Sequence, residues 1–306
     1  MDLHAPESGF LGAPVVTDLS TVDADVAILG VPHGVPYPRP GATAGCAEAP
    51  GAVRARSLRL ARLRGHHDFD TDGPMLPLDS GPRLVDVGDV PGDATDGAGN
   101  ARRITEAVAV LLDRGVVPVC IGGDDSVPIP ILRAFDGRTP ITLLQVDAHL
   151  DFRDEVDGVR EGYSSAMRRA SEMPHVARIV QVGLRGVGSA RPSDVGDARA
   201  AGNLLVTAHE LRERGVGSVL AELRGDERIF LSFDCDGLDP SVFAAVSAPS
   251  PGGLTYEEAA ELVRGIGPRL VGAVFSEYVP ALDRDDLSAL VVARLIIGLL
   301  ETGVRA

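Results

Sequence analysis

Eight short apolar runs punctuate the chain, at residues 25–30, 83–89, 116–121, 141–144, 178–184, 203–207, 228–233 and 270–277. Each is too short for a buried helix, is rich in Val, Ile and Leu, and is bounded by Gly, Pro or charged residues, so each reads as a buried strand. Stretches of helical spacing separate them, at 50–64, 102–114, 128–135, 209–214, 255–266 and 286–302. In the second of these, Ile104, Ala107, Val108, Leu111 and Leu112 share one face. Thr255-Tyr256-Glu257-Glu258 is a capping box that starts the fifth. Apolar strands alternating with helices predict an α/β protein: a single three-layer α/β/α domain over residues 1–306, with an eight-stranded, mainly parallel sheet buried on both faces. Residues 1–20 show no period and read as irregular, and the prolines of 31–41 exclude regular structure there.

Composition narrows the chemistry. The chain has no Lys, so a Schiff-base lysine and a phosphate-loop lysine are both excluded. A net charge of -15 argues against nucleic acid and anionic membrane surfaces as partners. The apolar stretch 289–300 is too short to span a bilayer and contains Arg294. Cys46, Cys120 and Cys235 form neither a disulfide framework nor a zinc motif. With no basic, apolar leader at the N-terminus, the expected location is the cytoplasm.

The polar residues that stand out follow the third, fourth, seventh and eighth runs, where ligands bind in parallel sheets. After the fourth comes Asp147-Ala148-His149-Leu150-Asp151. If the strand continued, Asp147, His149 and Asp151 would point to one side. Two carboxylates and an imidazole crowded together need a cation, without which repulsion forces protons onto the acids. After the seventh run stand Asp234 and Asp236, again two residues apart. Turns are rich in Asp, so one such pair means little. Two pairs, each after a strongly apolar strand, favour a divalent metal site. Gly122-Gly123-Asp124-Asp125-Ser126 ends the third run, and by itself reads as a strand-to-helix turn with an Asp or Ser cap. Glu277 ends the eighth. His4, His33, His66, His67, His175 and His209 have no useful partner spacing and read as surface or structural residues.

These motifs, in this order, resemble the ureohydrolase superfamily of arginases and agmatinases, on its agmatinase-like side. Asp147–Asp151 and Ser232–Pro240 match the family pattern unaltered, Gly122–Ser126 matches with one change, and Pro251–Thr255, Glu277 and Pro280 follow. Arg39-Pro40-Gly41-Ala42 and Asp86-Val87-Gly88-Asp89-Val90 resemble earlier segments of it. The resemblance implies an arginase-like fold and a cytoplasmic homo-oligomer, a trimer or hexamer. It implies a hydrolase with two manganese ions bridged by hydroxide, which cuts a guanidino C–N bond of a small cationic substrate and releases urea. Asp147, His149, Asp151, Asp234 and Asp236 would be metal ligands, with Asp147 and Asp234 bridging. Asp151 would also handle the proton passed to the leaving nitrogen, and Glu277 would hold the guanidinium.

Two positions depart from the pattern. Asp125 stands where the family has a metal-binding His. As a ligand it would give five carboxylates and one imidazole in place of four and two. The added charge makes the metals poorer at acidifying water and suits Mn²⁺, or less well Mg²⁺, over softer ions. Alternatively Asp125 does not ligate and one metal binds. The family's proton-transfer His falls at Tyr163, or at Ser164 with a shift of one, and both are expected on the substrate side. The other readings are a hydrolase of a formimino, amide or unusual guanidine substrate, and a metal-binding but catalytically silent paralogue.

Overall fold

In the computed structural model, which describes residues 2–302 except 36, 38–43, 78, 80, 224 and 226, all eight runs become strands of one sheet. They are β1 (Val26–Gly30), β2 (Leu84–Asp89), β3 (Val117–Ile121), β4 (Ile141–Val146), β5 (Val176–Leu184), β6 (Leu204–Thr207), β7 (Ile229–Asp234) and β8 (Leu270–Ser276). The helices are α1 (Ala49–Ala61), α2 (Gly97–Asp113), α3 (Pro128–Arg133), α4 (Ala166–Ser171), α5 (Pro192–Ala200), α6 (Ala208–Arg214), α7 (Val216–Glu222), α8 (Tyr256–Ile266) and α9 (Leu287–Glu301). The strand order is β2-β1-β3-β8-β7-β4-β5-β6, and each neighbouring pair is parallel.

β1, β3, β4 and β7 are buried along their whole length. This is why continuous apolar runs, and not an alternation, mark them. Successive side chains enter opposite layers. Leu144, Val146, Leu231 and Phe233 pack with α1, α6, α7, α8 and α9. Leu143, Ile179 and Phe230 pack with α2, α3, α4 and α5 on the other side. No helix among the described residues is long and apolar enough to cross a membrane.

The differences from expectation are local. α2 starts at Gly97, not at 102, because Asp96 accepts a hydrogen bond from Gly99 N (2.9 Å) and the Asn100 amide ties the first turn to Gly34 O (3.0 Å) and Asp93 O (2.7 Å). α4, α5 and α7 are too short to show a period. Residues 2–20 are irregular apart from 3₁₀ turns at Phe10–Gly12 and from Leu19 on, but pinned, through bridges from His4 to Asp89 and from Val15 to Asp86 and through the buried Phe10, so they cover the edge strand β2. The segment 39–42 lies outside the described residues. The Asp86–Asp89 motif is structural: the buried Arg54 donates to both Asp86 oxygens (2.8 and 3.0 Å) and reaches Asp89.

Candidate metal centre

The four strands that end in polar motifs lie side by side in the sheet, in the order β3-β8-β7-β4. Their carboxyl ends therefore meet at one place. Asp125 follows β3, Glu277 follows β8, Asp234 ends β7 with Asp236 just beyond it, and residues 147–151 follow β4. Chain segments far apart in sequence become one constellation because the sheet order interleaves them.

The extended conformation does not persist past β4. The strand ends at Val146, and Asp151 has φ +46°, in the left-handed region. Asp147, His149 and Asp151 thus do not line one strand face. The turn distributes them over two clusters: Asp147, His149 and Asp236 in one, and Asp125, Asp147 and Asp151 in the other. Within each, one ligand atom per residue lies within 4.8 Å of the others, and Asp147 belongs to both. Asp234 is in neither cluster among the described residues, yet it lines the same cavity as Asp125, His149, Asp151, Asp236 and Glu277. That cavity encloses about 360 Å³, and Tyr163, Ser164 and Ser247 also line it.

Each carboxylate is aimed by nearby donors. Asp147 Oδ1 accepts from His149 N (2.6 Å) and Oδ2 from Gln145 Nε2 (2.6 Å). Asp234 Oδ1 accepts from Asp236 N (2.8 Å), and Asp236 Oδ1 from Ala148 N (3.2 Å). His149 Nδ1 lies 3.0 Å from Asp236 Oδ2. Asp125 Oδ1 accepts from Ser276 Oγ (2.7 Å), whereas its Oδ2 is buried with no hydrogen-bond partner. Glu277 Oε1 accepts from Asp125 N (2.9 Å). Glu277 has φ +62°, so two non-glycine residues of this site sit in strained backbone. The turn before Asp125 also requires glycine: at Gly123, φ +76°, a Cβ would lie 2.5 Å from Val127 Cγ1 and 2.7 Å from Val31 O. Asp124, the other acid of that turn, accepts from Ser126 N (2.9 Å), and the N-cap position of α3 is Val127, which has no capping side chain.

Burial, and then the neighbouring carboxylates, push Asp125, Asp147, Asp151 and Asp234 well above the usual carboxylate range. Burial and then Asp124 raise Glu277 to about 8. The hydrogen bond to Asp236 raises His149 to about 9. This crowding, the shared Asp147 and the unpartnered Asp125 Oδ2 are what a site for divalent cations requires. Oxygen donors with one imidazole suit hard or borderline ions. The residues present fit such a group, and Asp125 stands among the candidate ligands, not in a cap.

The remaining histidines do not enter the site: His175, for instance, is buried with Nε2 2.8 Å from Leu132 O. Sequence reasoning passed over three residues that do matter. Tyr37 is buried, packs edge-on to Tyr163 with centroids 4.5 Å apart, and accepts a hydrogen bond from Ser164 N (3.2 Å). It supports the loop that carries Tyr163 and Ser164, and nothing in its proline-rich surroundings signals that. Gln145 and Gln181 did carry a signal, as amides inside otherwise apolar strands.

A family model described as Arginase family matches residues 24–301. The chain is similar to mitochondrial agmatinase of Gallus gallus, with 33% identity over 298 residues, covering 95% of this chain and 84% of the relative. It is 34% identical over 299 residues to guanidinopropionase of Pseudomonas aeruginosa, covering 95% and 90%. Its fold is similar to that of proclavaminate amidino hydrolase from Streptomyces clavuligerus, with TM-score 0.83 and 27% identity over 98% of this chain and 97% of that one. It is also similar to Trypanosoma cruzi formiminoglutamase with Mn²⁺, with TM-score 0.77 and 25% identity over 95% and 98%.

Proposed function

Because the chain belongs to the Arginase family, whose hydrolases act on amidino C–N bonds, we propose that it hydrolyses a small guanidino compound with release of urea, using manganese held by Asp125, Asp147, His149, Asp151, Asp234 and Asp236. The observation that carries this reading is the pair of clusters joined by Asp147 beneath an acidic cavity at the ends of four central strands. Bound there, divalent ions supply acidification of water and neutralisation of developing charge. The protein's own groups do the rest. Glu277 offers Oε2 to the guanidinium, since Oε1 is taken by Asp125 N and the long contact from Cys46 Sγ (4.0 Å) leaves Oε2 a lone pair. Asp151, buried between Asp125 and Asp147, holds the proton that passes to the leaving nitrogen. Tyr163 and Ser164, held by Tyr37, shape the side of the cavity that receives the rest of the substrate.

The free, buried cysteines suit a reducing cytoplasm. Phe69, 90% exposed beside the two-residue strand His67–Asp68, offers an apolar contact for a homo-oligomer. The test is a urea-release screen over guanidino compounds of varied charge and chain length, run on protein loaded with Mn²⁺ and checked by elemental analysis. Turnover of at least one supports the reading. Formamide release from a formimino compound without urea from any guanidine would move the activity to that substrate class. Full metal loading with no turnover of either would leave the silent paralogue.

A further inference from the structure

Asp147 stands at the end of a chain of buried amides that runs across three strands. Asn203 Nδ2 donates to Gln181 Oε1 (2.9 Å). Gln181 Nε2 donates to Gln145 Oε1 (2.6 Å) and to Leu150 O (2.9 Å). Gln145 Nε2 donates to Asp147 Oδ2 (2.6 Å). Gln145 and Gln181 are register partners on β4 and β5, both fully buried, and Asn203 immediately precedes β6.

The polarity of this chain is forced. The Leu150 carbonyl can only accept, so Gln181 must turn its NH₂ toward it and toward Gln145. That leaves the Gln145 carbonyl facing Gln181 and the Gln145 NH₂ facing Asp147. Every donor therefore points toward the carboxylate. Two amides inside apolar strands are costly unless paired, and here they are paired in one direction only. The consequence lies at Asp147. Oδ1 takes one donor from His149 N and Oδ2 takes one from Gln145, so each oxygen keeps a lone pair for a cation. A carboxylate that belongs to both clusters needs that division.

We propose that Gln145, Gln181 and Asn203 are positioning residues, a one-way relay of buried amides that aims a donor at Asp147 and sets how tightly the site takes a divalent cation. The proposal rests on the metal-site reading. It is tested on the full chain, stripped of metal and titrated with Mn²⁺ by calorimetry, with thermal unfolding in EDTA as the record of folding. Gln145→Met keeps the volume and removes the donor, and its Mn²⁺ Kd is expected to rise by roughly 10–100-fold, the range for losing a supporting partner of a metal ligand. Gln181→Glu changes no atom that touches Asp147. A Glu there is buried and neutral, with one O–H where Gln181 has two N–H, so it cannot serve both Leu150 O and Gln145 Oε1; with the O–H given to Leu150 O, Gln145 must turn its NH₂ toward residue 181 and its carbonyl toward Asp147. Its Kd is expected to rise as much as that of Gln145→Met, which a purely structural role of Gln181 does not produce. If Gln145→Met does not fold, Gln181→Glu carries the test. Mn²⁺ binding by Gln181→Glu within about twofold of the wild type would overturn the relay alone. A wild type that takes up no Mn²⁺ would overturn the metal reading and the relay together.

Discussion

Asp125→Asn should stabilise the metal-free protein and weaken its response to metal. Asp125 Oδ2 is buried and has no donor, and the Asp151 carboxylate beside it is itself an acceptor. A buried polar group left unpaired costs about 1–3 kcal/mol. The substitution keeps an acceptor for Ser276 Oγ at the Oδ1 position and supplies an amide that can donate to Asp151. In EDTA near pH 8 the variant should therefore gain about 1–2 kcal/mol, a rise in Tm of roughly 2–3 °C for a chain of this size. The gain should shrink as pH falls, because the raised Asp125 carboxyl takes up a proton and then resembles an amide. In Mn²⁺ at about 100 times the wild-type Kd, the wild type gains ~2.7 kcal/mol by mass action. A variant that binds ~100-fold more weakly gains only ~0.4 kcal/mol at that concentration. Differential scanning fluorimetry at two pH values, with EDTA or Mn²⁺, reads all four numbers. A variant less stable than wild type in EDTA, with an undiminished Mn²⁺ shift, would refute the reasoning and place Asp125 outside the cation site.

Three further outcomes are expected. Glu277→Gln keeps the acceptor for Asp125 N but loses the charge proposed to face the guanidinium, so kcat/KM for the guanidino compound found in the screen should fall roughly 10–100-fold, the equivalent of about 1.5–3 kcal/mol, while calorimetry finds Mn²⁺ affinity nearly unchanged. The metal-free protein should lose Tm as pH rises from about 5 to about 9: Glu277 at about 8 against 4.5, the raised aspartates, and His149 at about 9 against 6.5 all bind more protons folded than unfolded, so their stabilising contribution disappears as pH climbs through the folded values. A flat profile in EDTA would mean the carboxylates are not crowded in solution. Asp239→Asn should lower Tm without changing Mn²⁺ affinity, because Asp239 accepts from Ser241 N (3.0 Å), Gly252 N (2.7 Å) and Gly253 N (3.1 Å), and the Ser241 bonds first of all pull it down to about 2. A loss of metal binding as large as the loss of Tm would make Asp239 part of the site.

The strands could be read from the sequence because each is buried on both faces, and such a strand is a block of apolar residues whatever its neighbours are. The helices α4, α5 and α7 could not, since a helix of one or two turns is held by packing and caps, which leave no period. The acids of the site stood out because ionisable groups at the ends of apolar runs have no packing role to explain them. The grouping of those acids did not follow from spacing. Period-two reasoning put Asp147, His149 and Asp151 on one side, but the left-handed turn at Asp151 sends His149 and Asp151 to different clusters. That turn is set by contacts from α4, where the Met167 and Arg168 backbone amides donate to Asp151 O (3.0 and 3.2 Å), and no residue local to 147–151 encodes them.

The same geometry bears on the departure expected at Asp125. Asp147 and Asp234 accept backbone N–H groups from two residues further along their own loops, so their orientation is built into the turns that follow β4 and β7. Changing either would break its loop as well as its ligation. Asp125 is held by one side-chain hydroxyl, Ser276, and its backbone N–H serves Glu277 whatever side chain it carries. Its replacement leaves the turn after β3 intact, unlike that of Asp147 or Asp234. Position 125 can thus vary the charge of the site while the loops stay intact, and a carboxylate there trades acidity of a bound water for affinity toward hard cations. If that trade governs this protein, Asp125→His should raise the rate of guanidine hydrolysis at neutral pH and lower Mg²⁺ affinity relative to Mn²⁺, both measurable on one preparation. An increase in rate with no change in metal preference would contradict it, because the two effects share one cause.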